Sequence, residues 1–302
     1  MPLTVASNPI SPPLRDSVQA VPSEDAAPPA IVSISDIHGY LDDARQALLT
    51  LRDHPDFEPV VTEDNDGLLH WAGENYVLVF NGDLVDRGPR NADVMAMVSR
   101  LIDEAPPGRV RVTLGNHEWM ILLPDKYRHA GWYSTTVSQS ERRQYLQCIT
   151  DGHVIASYEG HTVTYAHAGA AEPYDVSSVN ESLIEAAAEL EAAVGTLEDS
   201  KLQSELPTKY AKVLGTGNRG VKGPEAGLVW IKFDHLSTEA PPQVVGHTRQ
   251  SRPQTKGNVH CQDLILKNRG SPGGQGVFVE TPDSLVALRR DSARNVDVEM
   301  LC

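Results

Sequence analysis

The sequence predicts an α/β protein whose leading sheet is partly parallel, and three observations carry that prediction. From Ile31 onward, short β-branched runs alternate with amphipathic stretches of helical period. Three such strand-then-helix units follow in succession. The C-terminal third then returns to short strands separated by Gly and Pro.

Taken in order, AIVSIS (30–35) reads as a buried strand and is followed by a helix near Leu41 to Leu51. The segment Asp56 to Tyr76, which contains DNDG, reads as a hairpin-like excursion, because Asp and Gly favour tight reversals. YVLVF (76–80) is the second strand, with a helix near Asn91 to Asp103. RVRVTL (109–114) is the third, with a helix beginning near His117. After Pro124 come two further strands, HVIASYE (153–159) and HTVTYA (161–166), joined through Gly160. Val176 to Lys212 is rich in Ala, Leu and Glu and lacks strand signals, so it reads as a helical insertion capping the sheet. QVVGHT, NVHCQDLIL, GVFVE and SLVALRR then read as a second, antiparallel sheet.

The first thirty residues are dense in Pro, Ser and Ala, with neither a basic start nor an apolar core. They are expected to form a flexible tail and not a targeting signal, which makes the cytoplasm the default location. No apolar run is long enough for a membrane span. Cys148, Cys261 and Cys302 are too scattered for a disulfide framework or a thiolate metal site. With 26 basic against 41 acidic residues the formal charge is −15, which disfavours an extended nucleic-acid-binding face.

Chemistry gathers at the strand ends, where ligand sites of such sheets form. The first strand ends in Asp36-Ile37-His38-Gly39. The second ends in Gly82-Asp83-Leu84-Val85-Asp86-Arg87-Gly88, and the third in Gly115-Asn116-His117-Glu118. His167 and His247 follow two later strands, each beside a glycine. One such turn is ordinary, since Asp, Asn and Gly dominate turns for backbone reasons. Repetition at successive strand ends points to a shared site. Carboxylate, imidazole and amide oxygen without thiolate suit divalent Mn, Fe or Zn.

These five motifs, in this order, resemble the signature set of the phosphoprotein phosphatase family of metallophosphoesterases, in its bacterial and archaeal form including the Shewanella-like branch. The resemblance implies a β-sandwich of two mixed sheets flanked by helices. It places the catalytic domain at 30–290, with a helical cap at about 176–225, a disordered tail at 1–29 and a C-terminal tail at 291–302. It implies two divalent ions, Mn or else Fe or Zn, one held by Asp36, His38 and Asp83 and the other by Asp83, Asn116, His167 and His247. A hydroxide bridging them would attack phosphorus in line. His117 would act as general acid, oriented by Asp86, and Arg87 would grip the phosphate. A second phosphate-gripping cation is expected at Arg219, or else at Lys232. Arg219 is preferred because a guanidinium binds an oxyanion through two donors.

The expected function is hydrolysis of phosphate monoesters, on phosphoserine or phosphothreonine in proteins or with dual specificity. The alternatives are an ApaH-like dinucleoside polyphosphate hydrolase and a non-catalytic metal-binding scaffold. The partner is a phosphorylated protein or a small phosphorylated substrate; the sequence leaves the oligomeric state open.

Overall fold

The computed structural model describes residues 3–23, 27–127, 129–218 and 221–302. α1 (Pro12–Asp16) starts on two prolines, whose missing N–H groups are tolerated in a first turn. β1 (Ala30–Ile34), α2 (Leu41–Leu48), the hairpin β2 (Val61–Glu63) and β3 (Leu69–Trp71), β4 (Tyr76–Phe80), α3 (Asn91–Glu104), β5 (Val110–Thr113), α4 (Asn116–Leu122) and α5 (Gln139–Thr150) follow. Next come β6 (Val154–Ile155), β7 (Tyr158–Glu159), β8 (Thr164–Tyr165), α6 (Val176–Ala193), α7 (Asp199–Lys209) and α8 (Ala211–Leu214). β9 (Gln243–Val245), β10 (Gln254–Lys256), β11 (Val259–Cys261), β12 (Gly276–Thr281), β13 (Ser284–Arg290) and β14 (Val296–Met300) complete the chain.

Two mixed sheets are formed, in the orders β14-β13-β12-β1-β4-β5-β6 and β10-β11-β9-β8-β7. β1, β4, β5 and β6 pair in parallel, as strand-helix-strand crossovers allow, while β12 to β14 join antiparallel. Side-chain alternation builds the layers. Ile31, Val77, Val79, Phe278 and Ala287 face the second sheet, where they meet Tyr158, Tyr165 and Val244. The alternate positions Val32, Ile34, Leu78, Phe80 and Val112 face the helical layer. A third cluster, with Val245, Val259 and Cys261, closes the outer side of the second sheet under Ile231 and Leu236.

Four expectations are corrected. GVFVE and SLVALRR enter the first sheet, because β12 finds its partner in β1 and not in β11. HVIASYE divides, β6 pairing with β5 and β7 with β8. Residues 291–302 are no loose tail, since β14 pairs with β13 over Val296 to Met300. Among residues 1–29, those described hold fixed positions: Leu3, Val18 and Val21 are buried, and Asp16 accepts a hydrogen bond from Asn180 Nδ2 at 2.7 Å. Composition concealed these apolar anchors between the prolines. Of the helices of residues 176–214, α6 packs against α5 and α1, and α7 and α8 pack against α6.

Candidate functional site

The site is built where β1, β4, β5 and the turns after β8 and β9 come together. Beyond the strands the ladder continues as crossed turns. Asp36 N–H donates to Gly82 O at 3.0 Å, His38 N–H to Asp83 O at 2.9 Å, and Gly88 N–H to His38 O at 2.7 Å. These turns demand left-handed backbone. Of the eight non-glycine residues with positive φ among those described, six carry predicted site side chains: Asp36, His38, Asp83, Asp86, Arg87 and His247. Such conformations cost on the order of 1 kcal/mol or more each and cluster at functional sites. Two glycines are dictated by crowding. A Cβ at Gly115 would strike the Asp83 backbone, and one at Gly246 would strike the Asp36 carboxylate.

Asp83 lies at the centre, 1% exposed. Its Oδ2 is 3.5 Å from His38 Nε2 and 3.8 Å from His117 Nε2, while its Oδ1 is 3.4 Å from His167 Nε2. Each carboxylate oxygen thus serves a different group of imidazoles. His38 Nδ1–H donates to Val85 O at 2.9 Å and His167 Nδ1–H to Asn81 O at 3.0 Å. Those bonds fix both rings and turn both Nε2 atoms toward Asp83. Asn116 Oδ1 is 3.3 Å from His167 Nε2, and Asp36 Oδ1 is 3.8 Å from His38 Nε2. Asp36 is held by the His247 N–H at 3.0 Å, and the buried His247 Nε2 has no hydrogen-bond partner among the described residues.

Electrostatics agree with a cation-seeking cluster. Burial pushes His38 and His247 well below the usual imidazole range. Burial also opposes the charge on Asp83, but His167 and His117 overcome it and hold Asp83 well below the usual carboxylate value. Burial would lower His167, yet Asp83 lifts it to about 10. Two sets of donors, His38-Asp83-His117 and Asp83-His167-His247, have atoms close enough to hold an ion. Imidazole nitrogens, carboxylate oxygens and one amide oxygen, with an orphaned Nε2 among them, fit two divalent ions sharing Asp83.

Beside this cluster lies a hydrogen-bonded dyad. His117 Nδ1–H donates to Asp86 Oδ2 at 2.6 Å, and Arg87 Nη2 donates to His117 Nε2 at 3.1 Å. The predicted residues Asp36, His38, Asp83, Asp86, Arg87, Asn116, His117, His167 and His247 are all brought together. Lys232 is exposed at the rim, and Arg219 lies outside the described residues.

Sequence reasoning missed four contributors. Glu118 accepts the N–H groups of Asp83, Leu84 and Gly115 at 2.8, 2.9 and 3.2 Å, and so fixes the turn that presents Asp83. Burial and Asp83 nevertheless push its carboxyl up to about 8. Asp263 packs on Asp36, and burial followed by that neighbour raises it well above the carboxylate range. Lys222, another positive-φ residue, interacts with Asp83 and Arg87 and with Lys232 and Arg249; burial lowers its ammonium. Ser134 contacts Asp86. Of these, Glu118 stood in the quoted GNHE motif; the others carry no local signal.

Residues 29–265 match the family model described as calcineurin-like phosphoesterase. An uncharacterized protein of Schizosaccharomyces pombe is 32% identical over 130 residues, covering 42% of this chain and 36% of that protein. A bis(5'-nucleosyl)-tetraphosphatase, PrpE, of Bacillus velezensis is 38% identical over 85 residues, covering 28% of each. The match thus spans about a third of these curated relatives. Among solved structures, the cold-active protein-tyrosine phosphatase of a psychrophilic Shewanella superposes with a TM-score of 0.61 at 20% identity, over 100% of this chain and 91% of that one, which establishes the shared fold.

Proposed function

From the membership of this chain in the calcineurin-like phosphoesterase family, we propose that it is a phosphomonoesterase of two divalent ions acting on phosphoserine and phosphothreonine, with phosphotyrosine also accepted. One observation carries the reading: Asp83 divides its two oxygens between two imidazole groups while the Asp86–His117 dyad and Arg87 stand beside it. Asp36, His38 and Asp83 would hold one ion, and Asp83, Asn116, His167 and His247 the other. When bound, the ions supply Lewis-acid polarisation of the phosphoryl group and an activated water.

The chain's own residues do the rest. Arg87 and Lys222 receive phosphate oxygens, the first through a planar fork and the second as a point charge. Arg87 donates to His117 Nε2 in the structure, so that nitrogen is acting as an acceptor. A bound phosphate draws the guanidinium away and frees Nε2 to carry a proton to the leaving oxygen. Asp86 holds Nδ1–H and stabilises the imidazolium before transfer.

The test is phosphate release by Mn-loaded protein from phosphoserine, phosphothreonine and phosphotyrosine peptides, set against diadenosine tetraphosphate at equal concentration. Peptide turnover is expected to dominate, and His117→Asn to lower kcat by about 10²–10⁴. Faster cleavage of the dinucleotide overturns the substrate assignment, and an unimpaired His117→Asn overturns the acid. A second reading, a nucleoside polyphosphate hydrolase, draws support from Lys222 and the three cations whose charges act on it, Arg87, Lys232 and Arg249, a number that suits more than one phosphate.

A further inference from the structure

A connection that belongs to none of the strand-end motifs reaches into the acid dyad. Within the connection between α4 and α5, residues Tyr133–Thr135 form one tight helical turn, whose Ser134 is buried. Thr135 Oγ1 donates back to Trp132 O at 2.8 Å, and the Ser138–Glu141 capping box fixes the start of α5 immediately afterwards. Ser134 is 1% exposed and Asp86 is fully buried. Ser134 N–H donates to Asp86 Oδ1 at 2.8 Å, and its hydroxyl to Oδ2 at 2.7 Å. Among the described residues three donors reach this carboxylate, and Ser134 supplies two of them, the third being His117 Nδ1–H.

The neighbouring Trp132 acts on the other partner. Its ring lies against the His117 imidazole with centroids 4.6 Å apart and 38° between the planes. His129 stacks on Trp132 at 4.2 Å and 19°. The imidazole torsion is intrinsically soft, so a ring packed on its face limits the rotation that would take Nε2 off the leaving oxygen.

We propose that Ser134 and Trp132 are positioning residues for the general acid, Ser134 fixing the Asp86 carboxylate on His117 Nδ1–H and Trp132 fixing the plane of the imidazole. The inference rests on the acid role given to His117. Its consequence concerns substrate range. An ester with an acidic leaving group departs with little proton transfer, whereas an alkyl or phenyl ester needs all of it. The α4–α5 connection therefore sets how poor a leaving group the enzyme accepts, and it separates alkyl from activated aryl phosphates.

The experiment compares kcat and KM across dinitrophenyl, nitrophenyl, phenyl and alkyl phosphates with Mn-loaded protein. For Ser134→Ala the expected loss of kcat is about tenfold or more on phenyl phosphate and under about twofold on the dinitrophenyl ester, a fraction of the full general-acid effect. KM should hold. Ser134→Thr keeps the hydroxyl and restores the parental dependence on leaving group. Trp132→Leu should reproduce the steepened dependence and Trp132→Phe should not, which also serves if Ser134→Ala fails to fold. A second readout needs neither metal nor turnover: in metal-free protein the Nδ1–H resonance of His117, sharp in the parent, should broaden by exchange in Ser134→Ala. An equal loss on every ester, no loss on phenyl phosphate, or an unchanged resonance overturns the proposal. Absence of turnover by the parent on every ester would count against the proposed function, leaving the resonance to decide the positioning role.

Discussion

At Glu118 a single carboxylate organises the turn that presents Asp83. It accepts N–H groups from Asp83, Leu84 and Gly115, all inside the buried site. Four of its neighbours within the turns have left-handed backbone, namely Asp36, His38, Asp83 and Asp86, so those fixed donors offset strain that would otherwise relax. In Glu118→Gln one face of the side chain becomes an amide N–H that confronts backbone N–H groups and accepts nothing. With each hydrogen bond worth about 0.5–1.5 kcal/mol and each buried N–H left without an acceptor costing about 1–3 kcal/mol, the expected loss is about 3 kcal/mol of unfolding free energy. Metal affinity should fall with it, since Asp83 loses its support. Denaturant melts of the metal-free protein check the first effect and calorimetric Mn titration the second; a variant as stable as the parent would remove Glu118 from this role.

Elements show why some of the molecule was legible in the sequence and some was not. Strand ends bearing Asp36-His38, Asp83-Asp86 and Asn116-His117 could be read because each motif is local and its glycine answers a local steric demand, as at Gly115. His167 and His247 could be read for the same reason. Pairing partners could not, since nothing within GVFVE states that β12 will lie beside β1 and not β11. Ser134, Lys222 and Asp263 were invisible because their partners lie far away in sequence, Ser134 being 48 residues from Asp86. The helical arm is fastened in the same non-local way. Arg142 on α5 grips Asp199 at the start of α7 with two bonds, 2.6 and 2.9 Å long. Burial opposes charge on Asp199, yet hydrogen bonds from Arg142 and Gln203 prevail and lower its pKa. A lowered native pKa contributes stability above the unfolded carboxylate value, near 4, and that stability is lost as pH falls through the native value. Asp199→Asn should therefore cost about 1–3 kcal/mol at pH 7 and progressively less in acid. Melts of both proteins at pH 7 and near pH 3 test this; a gap independent of pH would assign the loss to packing alone.

Across the whole molecule the described N-terminal residues act as a strap that ties together the ends of several elements. Leu3 enters the helix-side core, and its carbonyl meets Cys148 Sγ on α5 at 3.5 Å. The N–H groups of Ala6 and Ser7 donate to Asp103 on α3 at 2.8 and 3.0 Å, and Ile10 N–H donates to Asp151 O at 2.8 Å. Arg15 pairs with Glu181 on α6 at 2.8 Å, and Asp16 bonds to Asn180. Val18 and Val21 then close the seam between the two sheets. None of these residues touches the carboxylate–imidazole cluster through a described hydrogen bond, so the strap concerns stability and not chemistry. Burying one aliphatic side chain stabilises by about 1.5–3 kcal/mol. Against that stands the backbone entropy of holding the strap, which the hydrogen bonds to Asp103, Asp151 and Asn180 and the ion pair to Glu181 help to offset, so the net gain is small beside the separate contributions. Exposing the apolar seam left behind adds a cost that removal of a solvated tail would not incur. Deleting residues 1–22 should thus lower Tm by on the order of 10 °C, given about 2–4 °C per kcal/mol for a chain of this size. The metal-loaded protein that remains folded at low temperature should keep its KM, because the site is built entirely from residues after Ala30. Scanning calorimetry of the full chain and the truncated one decides the matter. An unchanged Tm would mean that these contacts contribute nothing net, and that the segment behaves in solution as the dispensable tail its composition suggests.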